Sequence, residues 1–130
     1  MSPGVGGAFA ERIVIDAQAL CAIPGEMSFE QAAALPTAFG TAYQALFETG
    51  KLRAGQRVLI HAGAGGVGSM AVQLAHQAGV RVIATASARD VELVKSLGTD
   101  EVIDYRTQDF TALRDIDLVF DPLGGVTLEK

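Results

Sequence analysis

Three glycines carry the strongest chemical signal in this chain. Gly63, Gly65 and Gly68 fall in G-x-G-x-x-G spacing within RVLIHAGAGGVG, residues 57–68. An apolar run precedes them and an amphipathic run follows, so the spacing predicts a strand, a tight turn and a helix. Such a turn can cradle a dinucleotide pyrophosphate. The first glycine permits the turn, the second lets backbone approach the phosphates, and the third lets the helix pack close to the strand. The helix start then offers free N–H groups and the positive end of its dipole to the anion. The competing reading is a turn whose glycines serve packing alone.

The second strand bears on which dinucleotide. NAD-binding units carry an acid at its end, about 20 residues beyond the glycines, to bond the ribose 2′-hydroxyl. Here the strand ends Ala84-Thr85-Ala86-Ser87-Ala88-Arg89, with no acid at its tip. Ser87 can hydrogen-bond a 2′-phosphate, and Arg89 can pair with it by charge and fork geometry. NADPH is therefore expected over NADH. Two other readings stand beside this one. Ser87 with Asp90 makes an S-x-x-D helix-cap pattern, and Arg89 can be a solvated cation partly neutralised by Asp90.

Other chemistry is sparse. One cysteine, Cys21, and two distant histidines, His61 and His76, cannot assemble a tetrahedral N/S metal site. Cys21 is expected as a small core residue and both histidines as structural or solvated. No general acid and no Ser-His-Asp arrangement stands out, and Tyr43 reads as a packed helix aromatic.

The elements that must position these residues follow from periodicity. The glycine-rich residues 1–7 are expected to be loose. Arg12–Asp16 (RIVID) predicts a short strand. Ser28 and Gln31 form a capping-box pattern ahead of an alanine-rich helix that Pro36 should break, with a second helix from Thr37 or Ala38 to Glu48. Strands are then expected at Val58–His61, Val80–Ala86, Glu101–Asp104 and Asp117–Phe120. They alternate with helices at Val67–Ala78, Arg89–Leu97 and Gln108–Arg114. Continuous apolar strands alternating with helices predict an α/β fold: a Rossmann-like, doubly wound parallel sheet. It is expected to be incomplete, because four strands are present and VTLEK would open the next helix.

Composition narrows the function classes. Hydrophobic residues make up 49% of the 130, enough for a core, and fifteen acidic residues against ten basic ones leave a net charge of -5. No basic patch suggests a nucleic-acid partner. No apolar run is long enough to span a membrane, and no signal-peptide pattern opens the chain. With a single cysteine, these features predict a cytoplasmic protein.

SFEQAAALPTAFGTAYQAL, VLIHAGAGGVGSMAVQLAHQAG, VKSLGTDEVIDYR and DLVFDPLGG resemble, in order and spacing, the medium-chain dehydrogenase/reductase superfamily. Within it they are most similar to the zinc-free quinone oxidoreductase branch, with its zeta-crystallin-like proteins and alkenal reductases. GGAFAERIVIDA resembles the end of that family's N-terminal catalytic domain. The resemblance implies that residues 1–25 are a remnant of that GroES-like domain and residues 26–130 a partial NAD(P)-binding Rossmann domain. It implies hydride transfer from NADPH to a quinone or an α,β-unsaturated carbonyl, small molecules both. Gly65, Gly66, Val67 and Gly68 match the loop residues that contact the pyrophosphate. Thr41, in GTAY, matches a threonine near the nicotinamide. Ser87 matches a residue beside the 2′-phosphate, and Tyr105 a tyrosine that contacts the same phosphate. On its own, Thr41 reads as a helix residue bonding its own backbone, and Tyr105 as a half-buried aromatic.

The chain also departs from the pattern. Val91 stands where family members often carry a lysine, Lys95 lies about two helical turns beyond Ser87, and Thr37 stands where zinc-dependent relatives place a ligand cysteine. Two alternatives remain: an enoyl-thioester reductase of the same superfamily, and a non-catalytic nucleotide-binding fragment. For the fragment, an exposed edge on the fourth strand predicts a marginal monomer or a homodimer.

Overall fold

The structure, a computed structural model, describes residues 9–127. The loose start expected for residues 1–7 lies outside them. Four strands form one parallel sheet in the order β3-β2-β1-β4. β1 is Arg57–Ile60, β2 Arg81–Ala86, β3 Glu101–Asp104 and β4 Leu118–Phe120. The register pairs Ile60 with Ala84 on one side and Phe120 on the other, and Ala86 with Asp104, so the carboxyl ends open along one rim. The connection order reverses between β1 and β4. In open α/β sheets a ligand binds outside the strands' carboxyl ends at such a switch point.

Three helices accompany the sheet: α1 Phe29–Tyr43, α2 Gly66–Gln77 and α3 Val91–Ser96. On one face Val58, Ile60, Val82 and Ala84 pack with Ala71, Val72 and Ala75 of α2 and with Ala42 and Leu46. On the other, Leu59, Ile83 and Ile103 gather Phe110, Leu113 and Ile116. β1 and β2 are thus apolar on both faces, which explains their unbroken hydrophobic runs. β3 and β4 are the two edges of the sheet among the described residues, and Val119 on β4 is 52% exposed.

Four expectations need correction. Arg12–Asp16 is not a strand: it is exposed and has no ladder partner, and an isolated extended segment has nothing to satisfy its backbone. Cys21, on the same stretch, is exposed rather than a core residue. The capping box forms, with the Ser28 Oγ accepting from the Gln31 N–H at 3.2 Å and the Gln31 Oε1 from the Ser28 N–H at 2.9 Å. The break at Pro36 does not follow, because α1 contains Pro36 and continues directly into an i→i+5 turn at Gln44–Thr49. Pro36 lies on the exposed side, where a carbonyl without its donor can be hydrated. Ala42 and Leu46, both fully buried, anchor the far end, and such packing supplies most helical stability in proteins. Finally, Gln108–Arg114 holds only a 3₁₀ turn at Phe110–Ala112. The Asp109 carboxylate accepts from the Thr111 N–H and hydroxyl, and such local bonds compete with helix.

The proline makes a test of this packing argument. Pro36→Ala restores a donor at an exposed helical position and should stabilise the protein by about 1–3 kcal/mol. The urea midpoint should rise; a lower midpoint would show that α1 depends on the ring at Pro36.

Candidate functional site

Immediately after β1 the chain turns sharply. The His61 N–H donates to the Phe120 carbonyl at 2.9 Å, extending the β1–β4 ladder by one bond. Ala62 then adopts φ 53°, a left-handed conformation that costs an L residue about 1–2 kcal/mol. Three bonds hold it there. The Ala62 N–H donates to the Thr85 Oγ1 at 3.2 Å, the Gly63 N–H to the Thr85 carbonyl at 2.9 Å, and the Gly65 N–H to the Ala62 carbonyl at 2.8 Å.

The glycines have separable duties. A Cβ on Gly68 would overlap the Ala62 carbonyl, so this residue sets how close α2 comes to the turn. A Cβ on Gly63 would press on Ala84 and Val94. Gly66, in contrast, opens into free space. Gly65 is the N-cap of α2 and no side chain caps that end, so the first-turn N–H groups remain available to a ligand. Gly65 and Gly66 are exposed, Val67 is half-buried and Gly68 is buried.

A second group gathers past the ends of β2 and β3. Ser87 is buried and its hydroxyl donates to the Asp90 Oδ2 at 2.5 Å; the Arg89 Nε reaches the same oxygen at 3.3 Å. The Ser87 hydrogen bond holds the Asp90 carboxyl below its ordinary range, helped by the charges of Arg89 and Arg106. Tyr105 is 51% exposed, with the Arg106 guanidinium 5.7 Å from its ring centroid. Arg106 escaped sequence reasoning, although it directly follows Tyr105 in VIDYR.

Between these groups lies a cavity of about 380 Å³ lined by His61, Ala62, Thr85, Tyr105, Phe110, Leu123 and Thr127. Its floor is polar. His61 is 3% exposed, its Nδ1 lies 3.2 Å from the Thr85 Oγ1, and its ring meets Phe110 edge-on. Burial pushes the His61 pKa below its ordinary 6.5, partly opposed by the Asp121 carboxylate. Asp121 closes the loop after β4, its Oδ1 accepting from the Leu123 and Gly124 N–H groups, while its buried Oδ2 has no partner. Thr85 also escaped sequence reasoning; its place at the end of an apolar strand was the available signal.

The glycine loop, Ser87, Arg89 and Tyr105 thus meet along one rim of the sheet. Of the expected site residues only Tyr105 lines the cavity; the glycine loop, Ser87, Arg89 and Thr41 lie outside its lining, Thr41 exposed on α1. Tyr43 stacks on Phe39 and meets Phe47 at a tilt, but it is exposed on α1 rather than packed in the core. His76 is exposed.

This arrangement matches a known family. Residues 66–130 match the family described as zinc-binding dehydrogenase, and the chain belongs to it. Its structural neighbours place it in the medium-chain dehydrogenase/reductase superfamily. A quinone oxidoreductase from Thermus thermophilus, described with its NADPH complex, is 40% identical with a TM-score of 0.73, over 77% of this chain and 34% of that one. The CurK enoyl reductase is 43% identical with a TM-score of 0.76, over 83% of this chain and 35% of that one. A synaptic vesicle membrane protein VAT-1 homolog from Danio rerio is 42% identical over 95% of this chain. The chain spans 27% of that relative's length. Among the described residues no helix is long and apolar enough to cross a membrane.

The family description names zinc. No group of three or more His, Cys, Asp and Glu among the described residues is placed to hold a metal. A dinucleotide fits better: the uncapped helix start and the open space at Gly66 both suit a ligand rich in phosphates.

Two consequences can be measured. Gly68→Ala should cost about 1–3 kcal/mol through overpacking, whereas Gly66→Ala should leave the melting temperature nearly unchanged; equal losses would show that the two glycines do not differ as described. The folded state also binds fewer protons at His61 than the unfolded state does. Its contribution is therefore fully present above 6.5, the unfolded value, and is lost as pH falls from there through the lowered folded pKa. Melting temperature should drop across that window, and His61→Gln should flatten the drop.

Proposed function

We propose that this chain forms the NADPH-holding part of a medium-chain reductase that passes hydride to a quinone or an α,β-unsaturated carbonyl. One observation carries the reading. Beyond a glycine loop open at Gly66, the Ser87 hydroxyl and the Arg89 guanidinium meet where an NAD site would present an acid at the strand tip, with Arg106 on the adjacent loop beyond β3. The NADPH complex of the Thermus thermophilus neighbour supports it.

The residues divide the work. First-turn N–H groups of α2 from Gly66 to Gly68 receive the pyrophosphate, with Gly65 keeping the approach free of side chains. Ser87, Arg89 and Tyr105 receive the 2′-phosphate. Thr41 would meet the nicotinamide end, which requires the cofactor to reach beyond the described cavity. Bound NADPH supplies the hydride itself. We also assign residues 1–25 to the catalytic domain and residues 26–130 to the nucleotide domain, a division supported by the exposed, unpaired course of Arg12–Asp16. With Thr37 at the ligand-cysteine position, the reaction is proposed to run without zinc. An enoyl-thioester acceptor is the second reading, favoured by the CurK neighbour.

Titration with NADPH and NADH tests the cofactor. NADPH should bind more tightly, and Arg89→Ala should remove about tenfold of that preference while leaving NADH affinity unchanged. Equal affinities in the unaltered protein would defeat the reading. NADPH oxidation by the complete gene product, offered a quinone, an alkenal and an enoyl thioester in turn, separates the acceptors.

A further inference from the structure

Asp90 accepts from the buried Ser87 hydroxyl but caps no helix. Ser87 and Asp90 stand in a spacing that normally caps a helix, yet neither side chain bonds the backbone at the start of the 3₁₀ turn Ala88–Asp90 or of α3. The Ser87 hydroxyl instead spends its proton on the Asp90 Oδ2, and the Arg89 Nε approaches that same oxygen. The Arg106 charge acts on the carboxylate from the loop beyond β3. An anion is therefore already seated among the hydroxyl and the guanidiniums that suit a 2′-phosphate.

We propose that Asp90 is a specificity-determining residue, an internal carboxylate that stands in for the 2′-phosphate and competes with it for Ser87, Arg89 and Arg106. This rests on the NADPH reading above. The competition has two parts. A phosphate must take over the Ser87 proton and the Arg89 fork, and it must then tolerate a neighbouring negative charge. The displacement is feasible because the pair lies at the surface: the Arg89 side chain is 87% exposed and that of Asp90 28%. Exposed ion pairs contribute little, so the guanidinium is free to change partner. A nucleotide without the 2′-phosphate meets no such competitor, and its ribose 2′-hydroxyl can donate to the Asp90 carboxylate. Asp90 thus narrows the gap between NADPH and NADH that Ser87 and Arg89 would otherwise open.

Calorimetric titration of the protein with NADP⁺ and NAD⁺ tests this. Asp90→Asn keeps the size of the side chain and removes its charge. It should tighten NADP⁺ binding about three- to tenfold and leave NAD⁺ equal or weaker. Asp90→Ser, which removes the competing carboxylate differently, should shift the ratio in the same direction. Asp90→Asn keeps an oxygen for the buried Ser87 hydroxyl, so its melting temperature without nucleotide should stay close to that of the unaltered protein, whereas Asp90→Ser should lower it modestly. Unchanged or weaker NADP⁺ binding in both variants, or an equal change for both nucleotides, would overturn the role of Asp90 alone. If Arg89→Ala also leaves NADP⁺ affinity untouched, or if the unaltered protein binds neither nucleotide, the NADPH reading fails and the role of Asp90 with it.

Discussion

The closeness of α2 to the turn after β1 is the constraint on which the site depends. Gly68 has no room for a Cβ because the Ala62 carbonyl occupies that space. The helix can therefore start directly against the strand end, with its first N–H groups at the rim of the sheet. The same closeness forces Ala62 into a left-handed conformation. Thr85 holds it there by accepting from the Ala62 N–H through its hydroxyl and from the Gly63 N–H through its carbonyl. The glycine loop is thus a property of two adjacent strands. β1 supplies the turn and β2 supplies the residue that fixes its shape.

That coupling joins the two halves of the candidate site. Thr85, which fixes the loop, and Ser87, which begins the anion-seating cluster, both point into the region beyond β2. They are two residues apart, so they share one side of an extended chain. His61 lies beside Thr85, with its Nδ1 near the Thr85 hydroxyl and its pKa pushed down by burial. The glycine loop and the Ser87 cluster lie on one rim because parallel strands in register end together.

Much of this was legible in the residues alone. Continuous apolar runs separated by Gly-punctuated helices specified a parallel α/β sheet, and Glu101–Asp104 was delimited to the residue. Periodicity failed where tertiary contacts overrode local preference. Pro36 should have ended a helix, but its exposed position and the buried anchors Ala42 and Leu46 carried α1 past it. Arg12–Asp16 has a strand's composition without a neighbour to pair with. Thr85 and Arg106 escaped notice because nothing in their local spacing distinguishes them; each matters for what it faces across the sheet.

Local spacing sufficed for the glycine loop, the absence of an acid at the end of β2 and the family to which the chain belongs, since each is written in neighbouring residues. Packing between distant segments settled the rest. The order β3-β2-β1-β4 placed the switch point between β1 and β4. Pairing of β2 with β3 set the loop carrying Tyr105 and Arg106 beside the end of β2, and the partner chosen by Ser87 proved to be a carboxylate rather than a helix end. A hydroxyl's partner is a matter of where its hydrogen can point, and that is set by the folded backbone and not by sequence spacing.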